Sequence, residues 1–345
     1  MKIDGPLYSD LADVGQEAVG RQEAGFDGVY SLEGSRDPFF PLLLASQAAP
    51  ALDISTGIAV AFPRNPYHVA CQAWDLQRFS GGRFSLGLGS QVRAHIERRF
   101  GVAFDRPAAR MREYIMAVRA FFDCWQDGKA LKFEGEFFRH TLMTPMFNPG
   151  PLDCGPPRIV LGALGPPMTA VAGQVADGLL VHPFNTVPFL RDVQLPAVNK
   201  SLAKAGRRRE DFVFNVTAIC ITGANEEQMR AAYEGVRSLL GFYGSTPAYR
   251  RPMEAVGYGE LQPELNKLTR ENRWDELPQL VDDSLVEHFA VIGEPQQLGA
   301  RLAERYAGLA DSLGIYAPYA AEPGLWREVT AGTRRAFTEH EGNNV

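Results

Sequence analysis

The sequence is poor in cysteine and carries no excess of positive charge. Its formal net charge is −6 over 345 residues. This balance argues against nucleic-acid binding, because neutralising phosphates requires a basic surface. No two cysteines form a CxxC pair, and they are expected to act as small buried hydrophobes in a reducing compartment. The four cysteines are Cys71, Cys124, Cys154 and Cys220.

Long apolar runs and several catalytic motifs are also missing. No segment reaches the roughly 18 consecutive apolar residues of a membrane span, and Asp4 and Gly5 interrupt the position where a secretory signal would be apolar. A cytoplasmic protein without a membrane partner is therefore expected. The sequence has no HExxH, Walker A or GxSxG motif and its histidines are dispersed, so no metal site is predicted.

Strand-like and helix-like segments alternate along the sequence, and 45% of the residues are apolar. This order predicts a (β/α)8 TIM barrel formed by a single domain over residues 1–345. Two long excursions, near 126–156 and 243–290, interrupt the alternation. The eight predicted strands cover residues 2–7, 27–33, 53–62, 81–90, 158–165, 177–184, 212–223 and 313–319.

Three helix starts carry recognisable residues. Asp10 is expected to cap the first helix, and Pro38 to occupy the first turn of the second. Asn225 is expected to cap a later helix together with Gln228, because this pair has the spacing of a capping box.

In such a barrel, the chemistry lies at the C-terminal ends of the strands and in the loops that follow. Glu33 ends the second strand and is either an acid or base or the partner of Arg36. His95 follows the fourth strand and is either a proton donor near neutral pH or a solvent-facing residue of a helix start. His182 and Asn185 follow the sixth strand as candidate ligand contacts. Further strand-end positions are Tyr8 and the run 316–319.

Glycines recur at three strand ends. The segment Gly162–Pro166 opens a helix, where free amides and the helix dipole favour an anion, although any strand-to-helix turn has similar residues. Gly57 and Ile58 lie inside the third strand, where glycine marks either a bulge or a narrow part of the barrel. Gly87 and Gly89 are expected to leave room for a planar ring or a phosphate at the end of the fourth strand.

Several segments resemble the luciferase-like monooxygenase superfamily, and the likeness extends over nearly the whole chain. They are TGIAVAFPRNP, GRFSLGLGSQVRAHIERRFG and GALGPPMTAVAGQVADGLLV. The segments DPFFPL, SQVRAHIERRFG and EGEFFRHTLMTP are most similar to coenzyme F420-dependent oxidoreductases of mycobacteria and other actinomycetes. The resemblance implies a bacterial-luciferase-like (β/α)8 barrel with insertions, a homodimer, and a flavin or deazaflavin at the C-terminal mouth.

The resemblance also implies cofactor-binding residues. A bulge in the third strand, often with a non-prolyl cis peptide, supports the central part of the ring, and the phosphate clamp follows the fifth strand. The cluster Arg93–Arg99 lies where an anionic cofactor tail would pass. The matching positions are Gly57, Ile58 and Ala59 for the bulge, Gly162, Ala163, Leu164, Gly165 and Pro166 for the clamp, Ser90 and Gln91 beside it, and His182.

The implied reaction is hydride transfer between C5 of coenzyme F420 and a small organic substrate, with Glu33 or His95 as the catalytic proton donor. The excursions would shape the substrate pocket or dimer contacts. Sugar-phosphate oxidation is disfavoured, because Gly34 and Val92 stand where the dehydrogenases of the superfamily have histidine and glutamate. Two alternatives stay open: an FMN-dependent monooxygenase, and a barrel that binds a flavin without catalysis.

Overall fold

The structure, a computed structural model, describes residues 1–319 and 323–342. Ten of its strands form one parallel sheet that closes on itself. The strands are β1 (Lys2–Leu7), β2 (Gly28–Ser31), β3 (Asp53–Thr56), β4 (Ala59–Val60), β5 (Phe84–Gly89), β6 (Phe133–Glu134), β7 (Arg139–His140), β8 (Arg158–Ala163), β9 (Gly178–Val181), β10 (Val213–Ile221), β11 (Ala290–Ile292) and β12 (Ser312–Tyr316).

The closed ring confirms the predicted (β/α)8 barrel. Ser312 of β12 pairs with Lys2 of β1 on one side and with Asn215 of β10 on the other. β3 and β4 share one position, since both pair with β5. Each of the eight predicted strands therefore corresponds to one position in the ring, which runs β1, β2, β3 with β4, β5, β8, β9, β10 and β12.

The core lies between the ring and the helices around it. Aliphatic strand residues such as Ile54, Leu86 and Ile159 are at most 1% exposed. They belong to one apolar cluster with helix residues such as Val118 and Leu298. Burying one such side chain contributes about 1.5–3 kcal/mol. The strands are short apolar segments because the surrounding helices cover their outer face.

The helices follow the strands as expected. Asp10 does not cap the first helix with its side chain: the helix begins at Val14, and the Asp10 carbonyl accepts the Val14 N–H at 2.8 Å. The Asn225 cap is confirmed, because its Oδ1 accepts the Gln228 N–H at 2.9 Å. The helices are α1 (Val14–Glu23), α2 (Phe39–Ala48), α3 (Pro66–Phe79), α4 (Arg93–Arg98), α5 (Pro107–Asp127), α6 (Pro166–Val175), α7 (Val187–Phe189), α8 (Leu195–Lys204), α9 (Glu226–Gly244), α10 (Arg250–Glu254), α11 (Leu261–Arg270), α12 (Asp283–Phe289), α13 (Pro295–Tyr306) and α14 (Pro323–Gly342).

The first excursion contains the antiparallel hairpin β6–β7. Its turn is fixed to α5 by Glu113, whose carboxylate accepts the main-chain N–H groups of Glu136, Phe137 and Phe138 at 2.6–2.9 Å. This carboxylate of a ring-flanking helix therefore anchors the hairpin turn.

The second excursion is helical and ends in a strand that the sequence did not predict. α10, α11 and α12 pack with α9 into a separate apolar cluster that includes Val236, Leu240 and Val286. The chain then adds β11 beside β10, with Ala290 opposite Ile219. This excursion is consequently attached to the barrel through a strand and not only through its helices.

The cysteines only partly match the expectation of small buried hydrophobes. Cys124 and Cys220 are buried, but Cys71 is half-buried and Cys154 is exposed, and all four are free thiols. Burial raises the pKa of Cys220 to about 12, so this thiol is inert at neutral pH.

Among residues 1–319 and 323–342, no helix combines the length and the apolar character that crossing a bilayer requires.

Candidate active site

The third position of the ring is interrupted at the C-terminal mouth of the barrel. β3 ends at Thr56, β4 begins at Ala59, and the peptide bond between Gly57 and Ile58 is cis. The Gly57 N–H still donates to the carbonyl of Ser31 on β2, at 2.8 Å. The structure therefore contains the bulge and the non-prolyl cis peptide that the resemblance implied.

The Ile58 side chain lies over glycines of two neighbouring strands. A Cβ atom at Gly89 would come within 2.6 Å of Ile58 Cδ1, and one at Gly162 within 3.0 Å of Ile58 Cγ2. Carbon atoms in contact normally stay about 3.5–4.0 Å apart. Glycine at both positions thus lets Ile58 cross β5 and β8, and we call this apolar surface of Ile58, Gly89 and Gly162 the Ile58 floor.

The expectation that Gly87 and Gly89 leave room for a ligand is wrong. A Cβ at Gly87 would lie 1.8 Å from the Thr56 carbonyl oxygen. The Thr56 hydroxyl also donates to the Gly87 carbonyl at 2.7 Å and accepts the Gly87 N–H at 2.8 Å. Since Ile58 fills the space beside Gly89, both glycines accommodate the neighbouring strand and not a ring or a phosphate.

Glu33 lies in a buried ion pair beside β4. Its side chain is 5% exposed, and it accepts hydrogen bonds from Arg64 at 2.7 and 2.8 Å and from the Val60 N–H at 2.6 Å. Its arginine partner is therefore Arg64 and not Arg36, which contacts residues 8–10 instead. The carboxylate fixes the main chain two residues beyond Ile58.

Ala59 lies between Ile58 and this ion pair. It is fully buried, and its main chain pairs with Leu88 of β5. The predicted contact between Ala59 and the cofactor stays a prediction, because neither its methyl group nor its main chain is exposed in this structure.

The second candidate proton donor, His95, is on α4. Its side chain is exposed to solvent, as one of the two interpretations expected. On the same helix Arg93 pairs with Glu97 at 2.6 Å, whereas no residue in the described part of the chain pairs with Arg98. α4 therefore offers one unpaired guanidinium near the end of β5.

The loop between β5 and α4 is stabilised by its own hydrogen bonds. The Ser90 hydroxyl donates to the Gln91 carbonyl at 3.2 Å. Gln91 has a φ of 55°, and its side-chain oxygen accepts the Val92 N–H at 3.0 Å. Both residues are half-buried, so they retain surface at the mouth.

The segment expected to clamp a phosphate lies at the start of α6. β8 ends at Ala163, and Gly165 precedes the first helical residue. The pair Pro166–Pro167 has no N–H groups, so this helix start has fewer free amides than expected. The N–H groups of Gly165 and Met168 remain, and a Cβ at Gly165 would find no atom closer than 4.0 Å. Main-chain approach by an anion is therefore open here.

His182 follows β9 and lies against two rings of the second excursion. Its ring centroid is 4.9 Å from that of Tyr243 and 4.5 Å from that of Tyr249. Its Nδ1 accepts the Phe184 N–H at 3.1 Å, which leaves the proton on Nε2. Burial lowers the pKa of His182 to about 3, so the imidazole is neutral at physiological pH.

Asn185 has a local structural role. Its amide nitrogen donates to the carbonyls of His182 and Thr217, both at 2.9 Å. The residue is 1% exposed. It therefore fixes the loop that presents His182.

Tyrosines from several elements gather near His182. The hydroxyls of Tyr243 and Tyr316 are 3.4 Å apart, and Tyr8 donates to the Ala317 carbonyl at 3.2 Å. Tyr8 and Tyr316 were among the predicted strand ends, but Tyr243 and Tyr249 were missed. Their only signal was the aromatic content of the excursion, because its packing on the barrel leaves no local pattern in the sequence.

The mouth combines an apolar floor with uncharged hydrogen-bonding groups. The register of neighbouring strands places the Ile58 floor, the start of α6 and His182 at the same end of the barrel, since Gly162 of β8 pairs with Leu180 of β9. Residues 1–319 and 323–342 contain no group of three or more His, Cys, Asp or Glu side chains able to hold a metal ion. The arrangement suits a flat organic ring and an uncharged partner molecule.

Known proteins resemble this chain over most of its length. The Mycobacterium tuberculosis protein Rv1360, whose function is uncharacterized, is 44% identical over 90% of this chain and 92% of its own. The 5,10-methylenetetrahydromethanopterin reductase of Archaeoglobus fulgidus is 25% identical over 82% of each chain. The solved structure of the coenzyme F420-dependent tetrahydromethanopterin reductase of Methanopyrus kandleri has 17% identity and a TM-score of 0.77, covering 99% of this chain and 98% of that one.

The sequence pattern of a known family covers almost the whole barrel. It matches residues 3–312, from β1 to the first residue of β12. The closed ring and the interrupted third strand are consistent with that match. The chain belongs to the luciferase-like monooxygenase family.

Proposed function

We propose that the protein is a coenzyme F420-dependent oxidoreductase that transfers a hydride between the deazaflavin C5 and a small organic substrate. The reductase of Methanopyrus kandleri, which shares its fold, is F420-dependent. The observation that most supports the proposal is the Ile58 floor, an apolar surface at the barrel mouth with neutral hydrogen-bonding groups nearby.

The residues of the mouth fit this cofactor in three respects. Ile58 offers an apolar surface to one face of the ring system. The free N–H groups of Gly165 and Met168, at the positive end of the α6 dipole, suit its phosphate. Arg98 has an unpaired guanidinium that suits its anionic tail.

The bound deazaflavin would supply the hydride chemistry, and the protein would supply position and proton transfer. All the donors around Glu33 are already engaged with it, so fixing β4 beside Ile58 suits this carboxylate better than proton transfer. His95 remains the exposed alternative. The variant His95→Gln tests this alternative: unchanged turnover with cofactor affinity within twofold would exclude His95 as the proton donor.

A homodimer is part of the proposal. The neighbouring helices α2 and α3 expose Phe40 at 61%, Leu43 at 38% and Phe79 at 52%. Exposed apolar side chains on neighbouring helices offer surface that a second copy of the chain would cover. Light scattering should give twice the chain mass, and replacing Phe40 and Phe79 with serine should give the monomer. A monomeric wild-type protein at micromolar concentration would contradict this part.

Titration of the purified protein with F420 and with FMN tests the cofactor. We expect F420 to bind at least about tenfold more tightly than FMN, and the F420 absorbance to change on addition of a ketone, aldehyde, enone or alcohol from a broad panel. The variant Ile58→Asn should weaken F420 binding, whereas Ile58→Leu should retain it. Tight FMN binding without F420 binding would support the monooxygenase alternative. F420 binding without turnover across the panel would support the non-catalytic one.

A further inference from the structure

The hydroxyl group of Tyr243 links the second excursion to the barrel, because it lies beside the hydroxyl group of Tyr316. Tyr243 lies in the last turn of α9 and is half-buried. Its hydroxyl is 3.4 Å from that of Tyr316, which is 9% exposed at the end of β12. Its ring meets the His182 ring edge to face at 4.9 Å. Because a phenol can donate one hydrogen bond and accept two, the Tyr243 hydroxyl keeps capacity for a ligand.

The groups around this hydroxyl are uncharged. His182 is neutral because burial lowers its pKa to about 3. Burial also raises the pKa of Tyr243 well above its ordinary value of 10, and that of Tyr249 to about 12. Among the described residues, no lysine or arginine forms a hydrogen bond or a cation–π pair with the side chains of Tyr243, Tyr249, Tyr316 or His182. A carboxylate or phosphate bound here would lose its hydration without gaining a cation, which is costly.

We propose that the Tyr243 hydroxyl, oriented by Tyr316, binds and protonates the carbonyl oxygen of an uncharged ketone or aldehyde that packs against the His182 and Tyr249 rings. This inference rests on the proposed function, because it names the substrate class and the proton donor of that site. Tyr243 is then a catalytic residue and Tyr316 a positioning residue.

The proposed step balances as a carbonyl reduction. The reduced deazaflavin, when bound, would supply the hydride that forms the new C–H bond at the carbonyl carbon, and would itself be oxidised by two electrons. The electron pair of the C=O π bond moves to oxygen, which takes the proton from the Tyr243 hydroxyl. The tyrosinate regains a proton from water, with the Tyr316 hydroxyl as its hydrogen-bond donor meanwhile. An alkoxide is far more basic than a phenolate, so even a phenol with a raised pKa is acidic enough.

Binding of an unreacting probe tests the subsite without turnover. Acetophenone and benzoate share a ring and differ in charge, and their NMR line widths report binding to the cofactor-free protein. We expect acetophenone to bind at least about fivefold more tightly than benzoate, and Tyr243→Phe to weaken acetophenone about three- to tenfold through the lost hydrogen bond. Tyr233→Phe is the matched control, because this tyrosine is on the same helix and donates to Asp283 at 2.7 Å.

Turnover with F420 separates the two tyrosines. Tyr243→Phe should lower kcat for ketone reduction by about 100-fold, the contribution typical of one proton donor. Tyr316→Phe should lower kcat less, by about three- to tenfold, and leave the Kd for acetophenone within twofold. Unchanged kcat and Kd in Tyr243→Phe, or tighter binding of benzoate than of acetophenone, would overturn this inference. A failure of the proposed function is distinguishable, because the wild type would then not bind F420 while the probe experiment still reports on the subsite.

Discussion

Replacing Gly89 with alanine tests whether the Ile58 floor depends on a missing side chain. The added Cβ would lie 2.6 Å from Ile58 Cδ1 and 2.7 Å from its Cγ1. Ordinary carbon contacts require about 3.5 Å or more, so Ile58 has to retreat by about 1 Å. Overpacking of this size costs about 1–3 kcal/mol. The same displacement should weaken F420 binding, and each loss of about 1.4 kcal/mol would be tenfold in Kd.

A double-mutant cycle identifies the contact responsible. Ile58→Ala removes both close atoms, leaving only Ile58 Cβ at 3.4 Å from the new methyl group. The alanine at position 89 should therefore cost much less stability in the Ile58→Ala background. Urea unfolding gives the four free energies, and we expect a coupling of about 1–2 kcal/mol. Gly162→Ala is the milder control, since its Cβ would be 3.0 Å from Ile58. Strictly additive free energies, or an unchanged stability of Gly89→Ala, would refute the reasoning.

Three further predictions concern charge and pH. Arg64→Met leaves Glu33 buried without its cation and should lower the free energy of unfolding in urea by about 3–5 kcal/mol. The double variant Arg64→Met with Glu33→Gln should recover most of that loss. Equal instability of the single and the double variant would contradict the ion pair. Burial raises the pKa of Asp4 from 3.8 to about 6, so the contribution of Asp4 to stability should fall as pH rises from 4 to 6. Urea unfolding should therefore show Asp4→Asn more stable than the wild type at pH 8, by at most about 3 kcal/mol, with no gain at pH 4. The pKa of His182 is lowered to about 3, so its contribution to stability is lost as pH falls below about 6.5, by at most about 1.4 kcal/mol per pH unit; unfolding of His182→Asn against pH should lack this slope.

The barrel was predictable because its signals are local. Most ring strands are short apolar runs, and helices such as α5 and α9 show apolar residues at helical spacing, so the order of elements follows from the sequence. β11 was missed because three residues, Ala290–Ile292, carry too little pattern to separate them from the helical excursion before them. The prediction that Asp10 caps the first helix was wrong for a related reason. Several polar residues precede Val14, and the local pattern does not separate them as the residue that comes directly before the helix.

The site was predictable where it depends on the main chain and less so where it depends on distant side chains. The interruption at Gly57 was marked by a glycine inside a strand. The ion-pair partner of Glu33 was not marked in the sequence, because Arg64 is 31 residues away whereas Arg36 is only three residues away. Tyr243 reaches His182 through the packing of a helix and an excursion, which no spacing rule encodes. Gly89 was recognised as unusual, but its cause is the Ile58 side chain from another strand.

The two sides of the mouth are formed by separate segments of the chain. Residues 57–166 provide the Ile58 floor and the start of α6, while His182, Tyr243, Tyr249 and Tyr316 come from later segments. The second excursion is fastened by β11 on β10 and by the ring stack of Phe184 on Phe289, at 4.1 Å. The segment between these attachment points carries Tyr249, which lies against His182. A change of sequence in this segment would therefore alter the side of the mouth that faces His182, while the Ile58 floor, built from other strands, stays the same.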